Sequence, residues 1–315
     1  MEQAFHQTCD VITTVSPPLA RILRKSTTKP VHVIYNGFDP DDYLSLPTQS
    51  IFPQDEIFRI VYTGSIYAER DPSPLFRAIK LLEDQNILIN NPLKVIVAGY
   101  YFPLLDLAIE REGVKQYVEF RGLVPRPDAL RMQRDADALL HLDIPSEGIL
   151  TGKVFEYLVA GPPILVVGGN AQSSVGALVE ECQRGKNYRT DVEALASDLI
   201  HLLHEKRHKR DIGNKTINIA NLAPEILQFS REEQARKMLK SSKRLWYESN
   251  ICQTTIIISR KNSFTIPFGQ LLQNPQLHRL LHLSKKFASL IETSCKPCFP
   301  MLKSGKKRLA VSQSP

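Results

Sequence analysis

From about residue 58 to residue 204, short apolar runs alternate with stretches in which apolar positions recur every three or four residues. A run of four to six apolar residues suits a strand covered on both faces, and the helical spacing between runs suits the helices that would cover it. The pattern predicts strands over residues 59–63, 94–98, 118–121, 138–142 and 164–167. It predicts helices over 73–83, 103–112, 128–134, 153–160, 173–182 and 192–205. Such alternation belongs to the α/β class and to a Rossmann-like, doubly wound parallel sheet. Gly64, Gly99, Gly122 and Gly168 close four of the predicted strands. Ligands of an open parallel sheet sit beyond the carboxyl ends of its strands, where glycine lets a turn or a ligand approach the backbone, so the pattern already locates a site.

The flanks behave differently. Residues 10–15 suggest a strand, 17–25 a helix and 31–34 a second strand that stops at the turn signal Asn36-Gly37. Residues 1–50 therefore suggest the trailing edge of a preceding domain and an interdomain linker, with residues 39–53 as the joining segment. Residues 51–222 form the expected main domain, and 223–245 end in a helix over 232–245 that crosses back. Residues 246–315 lose periodicity and are expected to be a poorly ordered basic tail, in which 271–290 suit a basic amphipathic helix.

Charge supports this division. The chain has a formal net charge of +7, but the residues from Ser241 onward carry 12 Lys and Arg against 2 Asp and Glu, which leaves the body at −3. The basic pI belongs to the tail and gives no reason to expect a nucleic-acid partner. Five cysteines in no framework spacing favour a reducing, cytoplasmic location. No apolar run approaches the roughly 20 residues that span a bilayer, so membrane contact is expected to be peripheral, at the inner face. Neither Cys295 with Cys298 nor any His and Asp set has metal-ligand spacing, and no metal site is expected.

The residues that carry chemistry begin at Thr151-Gly152-Lys153, ahead of Glu156. With Thr151 as a helix N-cap, the first-turn amides of Gly152 and Lys153 and the helix dipole form a diphosphate site to which Lys153 adds a full charge. Glu156 lies on the same helix face about one turn deeper, where a carboxylate can accept hydrogen bonds from both hydroxyls of a ribose. A surface Lys-Glu pair is the plainer alternative. After the first main strand, Gly64, Ser65 and Tyr67 form a turn ahead of Arg70, whose guanidinium can reach a phosphate or pair with Glu69 or Asp71. The turn at Gly122, Leu123 and Val124 can offer backbone groups to a base edge, and His141 and Asp143 border the same crevice. No Gly-x-Gly-x-x-Gly follows the first strand and no Gly-x-Ser-x-Gly elbow occurs, which argues against a dinucleotide oxidoreductase and a serine hydrolase.

Asp10-Val-Ile-Thr-Thr-Val-Ser-Pro-Pro-Leu-Ala20, Val33-Ile-Tyr-Asn-Gly-Phe-Asp39, Val61-Tyr-Thr-Gly-Ser65, Phe120-Arg-Gly122 and Gly152-Lys-Val-Phe-Glu-Tyr-Leu-Val-Ala-Gly-Pro162 stand in order over residues 5–240. Their order and spacing resemble the family-four-like glycosyltransferases of the GT-B fold, mainly the C-terminal donor-binding domain. The resemblance implies transfer of a sugar from a nucleoside-diphosphate sugar, UDP- or GDP-linked, with retention of anomeric configuration and no further cofactor. It implies Arg70 and Lys153 as the catalytic basic pair. Gly64, Ser65, Tyr67, Gly122, Leu123, Val124, Leu150, Thr151, Gly152 and Glu156 become the donor-binding set. Two features depart from the family pattern. Gly148 stands eight residues before Glu156 where many members carry a second glutamate, and Ser65 stands where a basic residue often follows the loop glycine. The acceptor-binding domain is nearly absent from the chain, so the expectation is a hexosyltransferase that works with a separate N-terminal-domain partner on a lipid-linked or polysaccharide acceptor. The alternative is a nucleotide-sugar-binding fragment without turnover.

Overall fold

The computed structural model describes residues 9–67, 69–144, 150–208, 216–249, 255–260 and 262–267. Six strands form one parallel sheet: β3 (Phe58–Thr63), β4 (Leu93–Ala98), β5 (Val118–Phe120), β6 (Ala138–Asp143), β7 (Ile164–Gly168) and β8 (Gly185–Arg189). Their spatial order is β5-β4-β3-β6-β7-β8. The order reverses between β3 and β6, paired through Ile60 with Ala138 and Val61 with Leu139. A doubly wound sheet binds its ligand at such a switch point.

Because successive strand side chains alternate faces, the sheet builds two cores. Ile60, Tyr62, Val97, Leu140 and Leu142 pack under one helical layer. That layer comprises α3 (Ser73–Asp84), α4 (Pro103–Glu112) and α8 (Val192–His208). Val61, Ile96, Leu139 and Val166 pack on the other side, under α5 (Arg126–Asp135), α6 (Gly152–Ala160) and α7 (Ser174–Glu181). Helix α6 buries Val154, Phe155, Tyr157 and Leu158, which holds its first turn rigidly at the carboxyl edge of the sheet. The strand ends are stacked just as tightly. Gly64 N–H donates to Ala98 O at 2.7 Å and Gly99 N–H to Gly122 O at 2.9 Å. A methyl group on Gly99 would collide with the Gly64 carbonyl, so this close approach requires glycine.

Around this sheet, β1 (Ile12–Thr14) and β2 (Val31–Val33) pair in parallel and flank α1 (Pro17–Ser26). Ser16 caps α1 by accepting the Leu19 N–H, as the Ser-Pro-Pro sequence suggests. The joining segment contains α2 (Asp41–Leu44) and meets the chain again ahead of α10 (Arg231–Ser249). There Phe38 N–H donates to Phe229 O and Arg231 N–H to Phe38 O, while Tyr35 N–H donates to Gln234 Oε1 at 2.9 Å. Between these, α9 (Pro224–Leu227) buries Ile226.

Within the described residues the predicted strands and helices stand, with ends moved by at most four residues. Strand β8 is an addition. Its Gly-Lys-Asn-Tyr-Arg sequence buries only Tyr188, because an edge strand needs little apolar surface and shows no apolar run. Within the expected poorly ordered tail, β9 (Thr255–Arg260) and β10 (Asn262–Pro267) pair antiparallel, as suits the β-branched run Thr254-Thr-Ile-Ile-Ile258. The expected helix over 271–290, like the remainder of the tail with Cys295 and Cys298, lies outside the described residues. Among the described residues no helix is long and apolar enough to cross a membrane. Likewise, no group of three metal-ligating side chains occurs among them.

Candidate functional site

At the switch point the two expected cations converge. Helix α6 starts at Thr151, which has the extended backbone of an N-cap but makes no side-chain capping bond, contrary to the usual behaviour of a capping threonine. The amides of Gly152 and Lys153 likewise have no acceptor among the described residues, and Val154 N–H reaches only the Thr151 carbonyl at 3.3 Å. The Lys153 ammonium turns across the switch point, donates to the Thr63 carbonyl and stands 5.8 Å from the Tyr62 ring centroid. It also lies so close to Gly64 that a side chain there would meet it. Burial holds the Lys153 pKa below the ordinary lysine value; the Glu156 charge opposes the shift and the Arg70 charge adds to it.

Arg70 does not pair with Glu69 or Asp71 among the described residues. It donates to the Leu142 carbonyl at 2.8 Å and lies 5.4 Å over the Tyr67 ring, which in turn packs against Phe102. Asp71 is occupied with Ser73 and Arg111 instead. Ser65 accepts the Tyr100 N–H through its hydroxyl and the Tyr62 hydroxyl through its carbonyl, which pins the turn after β3.

Glu156 lies where its spacing places it, on the Lys153 face of α6, but both its oxygens already have partners. Oε1 accepts from Arg126 at 2.8 Å and Oε2 from Gln133 at 3.2 Å. Arg126 continues to Asp42 of the joining segment at 2.5 Å, and Gln133 continues to Thr63, whose N–H and hydroxyl meet the Tyr157 hydroxyl. A plain Lys153-Glu156 pair is not formed among the described residues. The bonds to Asp42 and Glu156 outweigh the effect of burial on Arg126 and raise its pKa. Sequence inspection missed Arg126 and Gln133. One signal was present: Arg126 sits between Pro125 and Pro127 at a helix start, where the dipole disfavours a cation.

The remaining expected residues divide. Gly122 takes a left-handed φ of 66°, Leu123 is exposed, and Val124 packs partly against the second core, two residues before Arg126. The Leu150 side chain is buried in that core, 3% exposed. Glu147 and Gly148 lie outside the described residues.

His141 is buried with its ring edge-on to Tyr157, centroids 6.3 Å apart. Burial, reinforced by the charges of Arg70 and Lys153, pushes its pKa down to about 3. The folded state therefore binds fewer protons than the unfolded chain between pH 6.5 and 3. Stability should be complete above pH 6.5 and fall by up to about 1.4 kcal/mol per pH unit below it. In His141→Gln this component should vanish, so denaturant melts of the two proteins should converge as the pH drops from 7 to 4. Parallel curves would contradict the assignment.

A cavity of about 670 Å³ lies at the opposite, amino edge of the sheet, between Phe58, Ala136, Gly161 and Lys206. Its charges are already matched, Arg59 with Asp55 and Lys206 with Asp137. Uncommitted amides and converging cations, rather than cavity size, place the candidate site at the carboxyl edge.

No family model matches the chain, and no curated protein matches its sequence. Solved structures do match its fold. Sucrose-phosphate synthase from Thermosynechococcus elongatus aligns with a TM-score of 0.55 at 16% identity, over 79% of this chain and 61% of its own. A glycosyltransferase from Rickettsia africae aligns at 0.56 and 12% identity, over 78% and 67%. The pneumococcal O-GlcNAc transferase GtfA, solved with UDP and GlcNAc, aligns at 0.52 and 15% identity, over 78% and 47%. The chain spans less than two thirds of the synthase and about half of the O-GlcNAc transferase. At these identities the likeness establishes the fold, that of the GT-B glycosyltransferases.

Proposed function

We propose that the carboxyl-edge crevice binds a nucleoside-diphosphate sugar and that the chain is the donor half of a retaining glycosyltransferase. The observation that carries this reading is the convergence of the Lys153 ammonium, the Arg70 guanidinium and the uncommitted amides of α6 at the sheet's switch point. Two cations that repel each other in a partly buried crevice, neither of them bonded to a carboxylate among the described residues, suit a diphosphate. In transfer, the bond from the anomeric carbon to the diphosphate oxygen breaks and its electron pair leaves with the diphosphate. An acceptor hydroxyl forms the new bond to that carbon and releases its proton. Fixed positive charge at the departing oxygen stabilises the transition state more than the ground state. Glu156 serves the ribose after exchanging Arg126 for the sugar hydroxyls, which frees Arg126 toward the phosphates. Acceptor recognition falls to a facing domain, and the acceptor is lipid-linked or a polysaccharide.

UDP, with which the O-GlcNAc transferase neighbour was solved, and GDP make natural probes. Titration calorimetry of the chain should show one site for UDP or GDP and none for NAD. Absence of binding to both nucleotides would sink the reading. A second reading, a nucleotide-sugar-binding module without turnover, draws on Glu156, whose two oxygens are taken by Arg126 and Gln133. Donor hydrolysis by the chain alone would count against it.

A further inference from the structure

Asp143 is the last residue of β6, in register with Gly168. Strand alternation decides which way it faces. Leu140 and Leu142 lie in the core beneath α3 and α8, whereas Leu139 lies in the core beneath α6. His141 follows Leu139 onto that side and meets Tyr157 of α6. Asp143 is next on the same face. Its height follows from the same contact. Two strand residues climb about 6.6 Å toward the carboxyl edge, and about four residues of α6, running the other way, span about 6 Å. By this count Asp143 comes at about the height of the first turn of α6, with its carboxylate on the β7 side against Gly169.

The carboxylate is held there but not satisfied. Its Oδ2 is buried without a hydrogen-bond partner among the described residues, although a stranded buried acceptor is destabilising. The chain opposite is shaped around it. Gly168 and Gly169 take consecutive left-handed φ values of 83° and 70°, and a methyl group on Gly169 would collide with Oδ2. From the other side, Arg70 fixes the strand end through the Leu142 carbonyl at 2.8 Å. Without a structural bond to make, a carboxylate so positioned awaits donors from a ligand. A phosphate is excluded by like charge. A metal ion would need further ligands, and no three-ligand group exists among the described residues. Hydroxyl groups remain. The ribose belongs to Glu156, three residues and about 4.5 Å further down α6.

We propose that Asp143 is a specificity-determining residue that accepts hydrogen bonds from hydroxyls of the transferred sugar, one bond beyond the diphosphate at Lys153 and Arg70. This rests on the nucleotide-sugar reading of the crevice.

The test compares the wild-type chain with Asp143→Asn and Asp143→Ser by calorimetry against UDP, GDP, UDP-glucose, UDP-N-acetylglucosamine and GDP-mannose. UDP and GDP should bind all three proteins within about twofold, while the sugar nucleotide that the wild type prefers should lose about tenfold in both variants. Their melting temperatures should equal or exceed that of the wild type, because a stranded buried charge has been removed; a purely structural carboxylate would lower them. Equal binding of the preferred sugar nucleotide by wild type and variants overturns the assignment of Asp143. Failure of the wild type to bind UDP or GDP at all overturns the underlying reading of the crevice instead.

Discussion

Lys153→Ala should weaken the binding of UDP or GDP by about thirtyfold to a hundredfold, with uridine and guanosine held as before. The size follows from what the ammonium would lose. A hydrogen bond to a charged group is worth about 1.5–3 kcal/mol, and burial at the switch point spares Lys153 most of the screening that weakens a surface charge. The same burial lowers its pKa and leaves the Thr63 carbonyl as its hydrogen-bond acceptor. Lys153→Met is the informative companion, because it keeps the aliphatic stem against Tyr62 and removes only the charge. It should lose diphosphate affinity equally and melt no lower than the wild type, since a buried cation without a carboxylate partner contributes little to stability. In an assembled enzyme the same change should slow transfer by about 10²–10³-fold, the usual effect of removing one fixed donor at a developing anion. Unchanged affinity in Lys153→Met would remove the diphosphate from this helix.

Glu156→Gln should cost about tenfold in UDP or GDP affinity and should abolish the preference for ribose over deoxyribose. The second effect is the sharper one. Glu156 accepts from Arg126 and Gln133 in the structure, so a ligand that engages it must exchange those bonds. The net gain is therefore smaller than the sum of two new charge-assisted bonds. The gain is nevertheless specific to the two ribose hydroxyls. Wild-type chain should bind UDP more tightly than its 2′-deoxy analogue, and the variant should bind both alike. Stability should change little, because Gln133 keeps its bond to Thr63 at 2.9 Å and Arg126 keeps Asp42. A retained preference for ribose in Glu156→Gln would assign the hydroxyl contact elsewhere.

Most of the framework was legible from local patterns. The apolar runs of the strands, the Ser-Pro-Pro start of α1 and the glycines at the strand ends each report a requirement met by near neighbours in the chain. Edge strand β8 was not legible, because a strand packed through Tyr188 alone carries no apolar run. The burial of Leu150 was not legible for a related reason: being next to a candidate site in sequence says nothing about the face a side chain takes, and this one faces the core.

The candidate site divides along the same line. By itself the sequence determined that Lys153 and Glu156 share one helix face beyond a strand end, because helical spacing is a local property. Only the tertiary structure decided that Lys153 reaches across to Thr63, that Arg70 bonds to Leu142 rather than to its acidic neighbours, and that Arg126 occupies Glu156. These contacts join residues 30 to 90 positions apart. Their geometry depends on the reversal of strand order between β3 and β6, which brings distant strand ends together and leaves no periodic trace in the chain.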